Sequence, residues 1–284
     1  PTAGLLSAPA AVLAGGADGP TSTDERDSGL SRYVATASWG TDQDGDGIDD
    51  GVEWELANRY APVVHLPNLI HPESAMDGDW TRPASVEWYL DNVRLRFHHN
   101  NCPDHQMLDF NQVTSANLVA QNHRKGNGLP FCSHGGTQSS AGGWDDNEHY
   151  FLQQRDGTHL GIVEGASSLW KVYFHAYRNN VGGISIQYWL FWAYNDWTGY
   201  SNHEAACEHI NVRLGPDLEP QGVWFAAHNA IHWYSAGDVT WFGTHPGSWV
   251  ADGSHGQYRS EYACDTTMYP PGLNEGECWT LPGT

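Results

Sequence analysis

The second half of the chain carries the sequence pattern that most restricts its fold. The stretches KVYFHAYR and EHINVRL alternate between apolar and polar residues, and between them lies the long β-branched and aromatic run GISIQYWLFWAYND. Alternation places the apolar side chains on one face of a strand, whereas a continuous apolar run is typical of a strand buried on both faces. The sequence therefore predicts a sheet with this run at its centre.

Further strand signals continue to residue 255, in GVWFAAHN, IHWYSAGDVTWF and GSWVADGSH, with turns every eight to twelve residues. The chain has 32 Gly, 15 Pro, 14 Trp and 13 Tyr among 284 residues, which favours a loop-rich β protein with a substantial core. We expect a mainly β fold, an antiparallel β-sandwich that is jelly-roll-like, with a few short helices. YAPVVHL predicts a strand, PASVEWYLDNVRLRF a short helix or turn feeding a strand, and residues 100–146 irregular structure.

An acidic loop precedes this β region. DQDGDGIDDGVE fits the calcium-loop template D-x-[DN]-x-[DN]-G-x5-E at every specified position, and the helical pattern VEWELANRY follows it. No helical pattern precedes it, so we expect a single EF-hand-like loop that binds calcium structurally. Its predicted ligands are Asp42, Asp44, Asp46, the Ile48 carbonyl, Asp50 and Glu53.

These features divide the chain into three predicted parts. Residues 1–30 are expected to be a flexible segment, the remnant of a secretion signal or a pro-segment. Residues 31–60 would hold the calcium loop and its helix, and residues 61–284 the β-sandwich domain.

The formal charge of −21, from 34 acidic and 13 basic residues, limits the partners of the protein. Such a surface repels phosphate backbones, so we expect no nucleic-acid partner. No stretch reaches the roughly 18 apolar residues of a membrane span. The acidity and the N-terminal segment together suggest a secreted, extracellular bacterial protein.

Five cysteines without a CxxC pair exclude a zinc ribbon or a thioredoxin motif. Their spacing suggests the disulfides Cys102–Cys132 and Cys264–Cys278, each closing a Gly- and Pro-rich loop. Cys207 would then be an unpaired, buried thiol rather than a nucleophile.

Histidines recur at the expected strand ends and define a second candidate site. His203, Glu208, His228 and His255 could converge at one end of the sheet, because residues 20 to 30 apart in a β-meander often meet on neighbouring strands. Such a set would suit a second divalent metal. Alternatively, His203, Glu208 and His228 could act catalytically, as a histidine base oriented by a carboxylate.

Several segments, in order, resemble the vacuolar-protein-sorting-sixty-two-related family. They are LANRYAPVVHL, PASVEWYLDNVRLRF, VYFHAYR, IQYWLFWAYND, HEAACEHINVRL, VWFAAHN, HWY and GTHPGSWVADGSHGQY, which together span roughly residues 56 to 262. That family is distantly similar to the necrosis- and ethylene-inducing-like proteins, secreted β-sandwich cytolysins whose divalent-metal cavity engages a sphingolipid head group. The family pattern His-x-x-Asp-Trp-Glu-His matches His203, Glu208 and His209, while Ala206 and Cys207 stand where it has Asp and Trp.

Three functions remain open from the sequence. The first is a toxin-like or cytolytic binding module for a glycan or lipid head group, with Trp197, Tyr200 and Trp233 stacking on the ligand. The second is a secreted metal-assisted or His/Glu hydrolase acting on a small-molecule substrate. The third is a structural extracellular domain whose only ligand is calcium.

Overall fold

The computed structural model describes residues 6–9, 42–66, 82–99, 102–124, 137–140, 148–155, 170–195, 203–227 and 230–266. The fold is mainly β, and its sheets are antiparallel apart from one strand pair. The strands are β1 Leu6–Pro9, β2 Val63–His65, β3 Val93–His99, β4 Cys102–Leu108, β5 Asn122–Arg124, β6 Thr137–Ser139, β7 His149–Gln154, β8 Lys171–Arg178, β9 Ile184–Asn195, β10 His203–Leu214, β11 Pro220–Ala227, β12 Ala230–Ser235, β13 Trp241–Phe242, β14 His245–Val250 and β15 Gln257–Tyr258. The helices are α1 Asp50–Arg59, α2 Val86–Asp91, α3 Ser115–Leu118 and α4 Glu261–Thr266, with a 3-10 turn at Ala236–Asp238.

The largest sheet has the strand order β1-β8-β9-β10-β11-β12. Strands β8 to β12 are neighbours in the order in which they occur in the chain, and every pair is antiparallel. This meander is the arrangement that the turn spacing predicts. The 12-residue strands β9 and β10 lie at its centre, where their apolar content is buried best.

One face of this sheet forms the main core with α1. Leu190, Ile210 and Val212 are 0% exposed, and Leu56 of α1 packs into the same cluster. The hydroxyl of Tyr188 donates to the α1 carbonyl of Ala57 at 2.9 Å, which fixes the helix on the sheet at a polar point within the core.

The opposite face is covered at one end by a smaller core. Phe191 and Ala193 of β9 join Tyr89 of α2 and Leu95 of β3 in a second cluster. Strand β9 therefore contributes to a core on each face, as the continuous apolar run predicts. Strand β3 belongs to a three-stranded sheet of order β4-β3-β7.

Two smaller sheets complete the described structure. Strands β13, β14 and β15 form one sheet in which β14 also pairs in parallel with β2, and β5 pairs with β6.

The expectation of irregular structure over residues 100–146 is wrong for the part that the structure describes, because β4, α3, β5 and β6 lie there. Strand β4, CPDHQML, is polar and contains a proline, so its local sequence gives little strand signal. Pairing with β3 determines its conformation.

The proposed domain boundaries stay a prediction. Leu6–Pro9, in the segment expected to be flexible, pairs with β8, and Leu56 and Ala57 of the 31–60 segment pack in the main core. The described large sheet is a sequential meander, so the jelly-roll arrangement, which requires Greek-key crossovers, also stays a prediction.

Candidate functional site

The acidic loop, residues 42–53, is folded by hydrogen bonds from its own backbone. The Asp42 carboxylate accepts from Gly45 N at 2.8 Å and from Gly47 N at 3.0 Å. Asp46 accepts from Ile48 N at 2.7 Å. Both glycines have positive φ, +78° and +86°, which lets the chain turn sharply between the aspartates. Asp49 then caps α1 by accepting from Gly51 N at 2.9 Å.

Glu53 lies at the base of the loop and is 4% exposed. Within the described residues its carboxylate has no hydrogen bond or ion pair. Burial, followed by the charges of Asp46, Asp44, Asp50 and Asp42, raises the pKa of Glu53 to about 7. Its carboxyl group therefore faces concentrated negative charge that a cation would neutralise.

His175 of β8 lies beside the carboxylates of two loop aspartates. Ligand atoms of Asp44, Asp46 and His175 all lie within 4.8 Å of one another, and these are the three residues of the described chain that form such a group. One oxygen of Asp46, Oδ2, is buried without a hydrogen-bond partner. Asp42, Asp50 and Glu53 are not in this close group.

The loop is attached to β8 of the large sheet at two further points. Arg178 at the end of β8 donates to the Gly47 carbonyl at 2.5 Å. Ile48 is 3% exposed and packs in the main core with Phe174 and Ala176 of β8. An ion in this loop would consequently join the N-terminal helix to β8.

The second predicted site is only partly described, because His228 lies outside the described residues. His203 is exposed at the start of β10, and Glu208, 7% exposed, lies five residues further along. Five residues of strand span about 17 Å. His255 is 0% exposed with φ of +61° and stacks on Trp192 at 4.5 Å. The described members do not form a close group of three ligand atoms, so the shared metal or catalytic site stays a prediction.

Glu204 has a contact of its own. Ala205 has φ of +66°, and the preceding carboxylate of Glu204 accepts from Gln154 N of β7 at 2.9 Å. Burial raises the pKa of Glu204, and the Gln154 hydrogen bond opposes this. Glu204 thus joins β10 to the three-stranded sheet.

The cysteine predictions are described in part. Cys207 is free, as the sequence predicts, but it is exposed rather than buried. Its pKa is raised by the protein atoms that surround its sulfur and then by the Glu208 charge, which disfavours a thiolate nucleophile. Cys264 is fully buried and disulfide-bonded. Cys132 and Cys278 lie outside the described residues, and only the backbone of Cys102 is described, so both pairings stay predictions.

A tryptophan face lies on the side of the large sheet opposite the main core. It comprises Gln187, Asn211, Arg213, Trp224 and Trp233, on strands β9 to β12. The strand registers place Gln187 opposite Asn211, Asn211 opposite Trp224, and Trp224 opposite Trp233. Trp197 and Tyr200, the other predicted stacking residues, lie outside the described part of the chain.

Trp233 is 40% exposed yet held in place on several sides. Its ring centroid lies 4.2 Å from that of Trp224, and the Arg213 guanidinium lies 5.9 Å from both rings. A Cβ on Gly222 would lie 2.5 Å from the Trp233 ring, so the ring rests directly on this glycine. Asn211, 9% exposed, donates to the Tyr177 hydroxyl at 2.7 Å.

Sequence reasoning missed a group of histidines on β3, β4 and β5. His105 Nδ1 lies 2.9 Å from His123 Nε2, and the His123 ring stacks on Phe97 at 4.3 Å. His99 Nδ1 lies 3.9 Å from Glu148 Oε1. The first pair shares one proton as a hydrogen bond, but no three ligand atoms here come within 4.8 Å among described residues.

Sequence reasoning also missed His175 and the polar members of the tryptophan face. A usable signal existed for the latter: in EHINVRL the apolar residues Ile210 and Val212 alternate with Asn211 and Arg213, so the polar residues share the other face. For His175 no local signal existed, since its position beside the loop depends on a contact more than 120 residues apart in sequence.

The comparisons with known proteins give no match, whether against protein-family models, curated proteins or solved structures. The resemblance stated from sequence segments is therefore still a prediction. In the described part of the chain, no helix has the length and apolarity needed to cross a membrane.

Proposed function

We propose that this protein is an extracellular calcium-binding β-sandwich module in which the acidic loop takes one Ca²⁺ ion. The observation that carries the proposal is Glu53, a carboxyl group 4% exposed, without a hydrogen-bond or ion-pair partner among the described residues, and facing four aspartates. Calcium prefers several carboxylate oxygens together with a backbone carbonyl, and the sequence DQDGDGIDDGVE carries the residue types of this set.

The ion would serve a structural role. The loop contacts β8 through Arg178 and Ile48, and α1 continues directly from the loop into the main core. Binding to the folded state alone stabilises it by about 2.7 kcal/mol when Ca²⁺ is at a hundred times its Kd.

Thermal unfolding with Ca²⁺ and with EDTA tests this role. We expect Ca²⁺ to raise the Tm of the wild type. The Tm of Glu53→Gln should not change with Ca²⁺, because this variant loses the carboxylate that closes the loop. Glu55→Gln removes an exposed glutamate from the same helix and is the matched control, which should respond like the wild type. A wild-type Tm that is indifferent to Ca²⁺, with no heat of binding by calorimetry, would refute the proposal.

A second candidate function is the binding of a neutral saccharide at the tryptophan face. Trp233 is exposed but held by Trp224, Arg213 and Gly222, so stacking a sugar ring on it costs little side-chain entropy. Gln187 and Asn211 lie in the same cross-strand row and supply polar groups beside the rings. The net charge of −21 favours neutral ligands over acidic ones.

A glycan array followed by calorimetry on any hit tests this function. Trp233→Ala should abolish binding, whereas Phe242→Ala, which removes an equally exposed aromatic ring from another sheet, should retain it. A hit that survives Trp233→Ala would place the ligand elsewhere. Leakage of sphingolipid vesicles without any glycan hit would instead favour the lipid head group and a cytolytic module.

The hydrolase alternative receives less support from the geometry. His203 is exposed, whereas Glu208 is buried on the side of the main core, between Ala206 and Ile210 in the alternation of β10. A base and its orienting carboxylate need to be within hydrogen-bond reach.

A further inference from the structure

The acidic loop differs from an all-oxygen calcium loop because a histidine lies beside two of its carboxylates. Asp44 and Asp46 come from the loop, but the third member of the close group, His175, comes from β8. A ring nitrogen of His175 thus lies within 4.8 Å of a carboxylate oxygen of each aspartate.

The distances between the ligand atoms of this group leave room for an ion between the side chains, which do not bond to one another directly. The ligand atoms lie within 4.8 Å of one another, yet no hydrogen bond or ion pair joins His175 to either aspartate. Two ligand atoms bound to one divalent ion at about 2.1–2.4 Å each are at most about 4.2–4.8 Å apart, so three ligand atoms within 4.8 Å of one another are compatible with one shared ion.

Two further observations point to a ligand at the same place. Asp46 Oδ2 is buried without a hydrogen-bond partner, and the carboxylate of Glu53, a residue only 4% exposed, lies near the aspartates without a hydrogen bond or ion pair in the described chain. Leaving a buried carboxylate oxygen such as Asp46 Oδ2 unpaired is costly, and a bound cation removes this cost.

We propose that His175 is a ligand of the ion in the acidic loop, and that this mixed nitrogen–oxygen site binds Mn²⁺ more tightly, relative to Ca²⁺, than an all-oxygen loop does. The inference rests on the proposed function of the loop as a cation site. Calcium is a hard cation with oxygen ligands, whereas imidazole favours transition metals, and Mn²⁺ accepts carboxylates as well.

Strand β8 fixes the histidine for this role. His175 pairs in register with Gln187 on the central strand β9, and its ring packs against Tyr177 at 5.5 Å. The loop is held against the end of the same strand by the Arg178 hydrogen bond to Gly47. Metal selectivity therefore depends on the docking of the loop on the sheet, not on the loop sequence alone.

Pulsed electron paramagnetic resonance of Mn²⁺ bound to the full chain is the direct test. We expect hyperfine coupling to an imidazole nitrogen in the wild type and its loss in His175→Gln. The matched control, His232→Gln, removes an exposed histidine from β12 and should keep the coupling. Bound Mn²⁺ without nitrogen coupling in the wild type overturns the inference, and this readout does not depend on any variant folding.

Titration calorimetry gives the second measurement. In His175→Gln, Mn²⁺ affinity should fall by about 10–100-fold, whereas Ca²⁺ affinity should change by less than about threefold, because calcium bonds mainly to oxygen. If His175→Gln loses affinity for Mn²⁺ and for Ca²⁺ by the same factor, the proposed selectivity is wrong. If the wild type binds Ca²⁺ but His175→Gln leaves the ratio of the Mn²⁺ affinity to the Ca²⁺ affinity unchanged, only this inference fails. If the wild type binds no divalent ion, the proposed function fails as well.

Discussion

At the scale of single residues, Glu87 shows how neighbours determine a charge state. Ser85 Oγ donates to its carboxylate at 2.6 Å, Tyr173 OH at 2.9 Å and Lys171 Nζ at 3.2 Å. Burial alone would raise the pKa of Glu87, but the hydrogen bonds, led by that from Ser85, lower it to about 2. The carboxylate lies in the first turn of α2, where a negative charge is also favourable.

This network predicts a pH dependence of stability. Since the folded pKa is below the ordinary value of 4.5, the contribution of Glu87 is fully present above pH 4.5 and is lost as the pH falls towards 2. The side chain is 64% exposed, so solvent screening limits the effect to about 0.5–1 kcal/mol.

Urea unfolding between pH 5 and 2 checks the pH dependence. The difference in the free energy of unfolding between the wild type and Glu87→Gln should shrink as the pH falls. The difference between the wild type and Glu55→Gln, which removes an exposed glutamate, should not shrink in this way. A Glu87→Gln difference that grows in acid would contradict the assigned network.

At the scale of elements, the turn between β8 and β9 ties the hairpin to β10. The Asn179 side chain accepts from Val181 N at 3.2 Å and from Gly183 N at 3.0 Å, and it donates to the Leu214 carbonyl at 2.9 Å. A Cβ on Gly183 would overlap that same Leu214 carbonyl oxygen. The glycine is therefore required by close approach of two backbones.

We expect Gly183→Ala to lower the free energy of unfolding by about 2–4 kcal/mol, because backbone atoms of β10 would have to shift. Gly237→Ala is the matched control, since a Cβ there meets nothing within 4 Å. It should change stability by less than about 0.5 kcal/mol. Chemical denaturation measures the free energy of unfolding of both variants. Equal losses in the two would show that Gly183 does not lie tightly against the Leu214 carbonyl.

At the scale of the whole molecule, the net charge of −21 opposes compaction. The Debye length falls from about 30 Å at 0.01 M salt to about 8 Å at 0.15 M, so monovalent salt screens this self-repulsion. We expect Tm in EDTA to rise over this range, equally with NaCl and KCl. A falling Tm would mean that surface ion pairs outweigh the repulsion.

The sequence by itself determined the elements whose information is local. Alternation in KVYFHAYR and EHINVRL, and the apolar run between them, predicted β8 to β10 because side-chain period follows backbone geometry. The template DQDGDGIDDGVE and its helix pattern likewise predicted α1, since capping and helix propensity act within a few residues.

Only the tertiary structure decided which of these elements meet. Strand β4 forms because β3 pairs with it, and His175 joins Asp44 and Asp46 because the loop docks at the end of β8. Trp224 and Trp233 meet through the β11–β12 register. Such contacts depend on chain segments far apart in sequence, and packing energy rather than local propensity selects them. The sequence supplied the carboxylates of the acidic loop, while the fold brought His175 beside two of them.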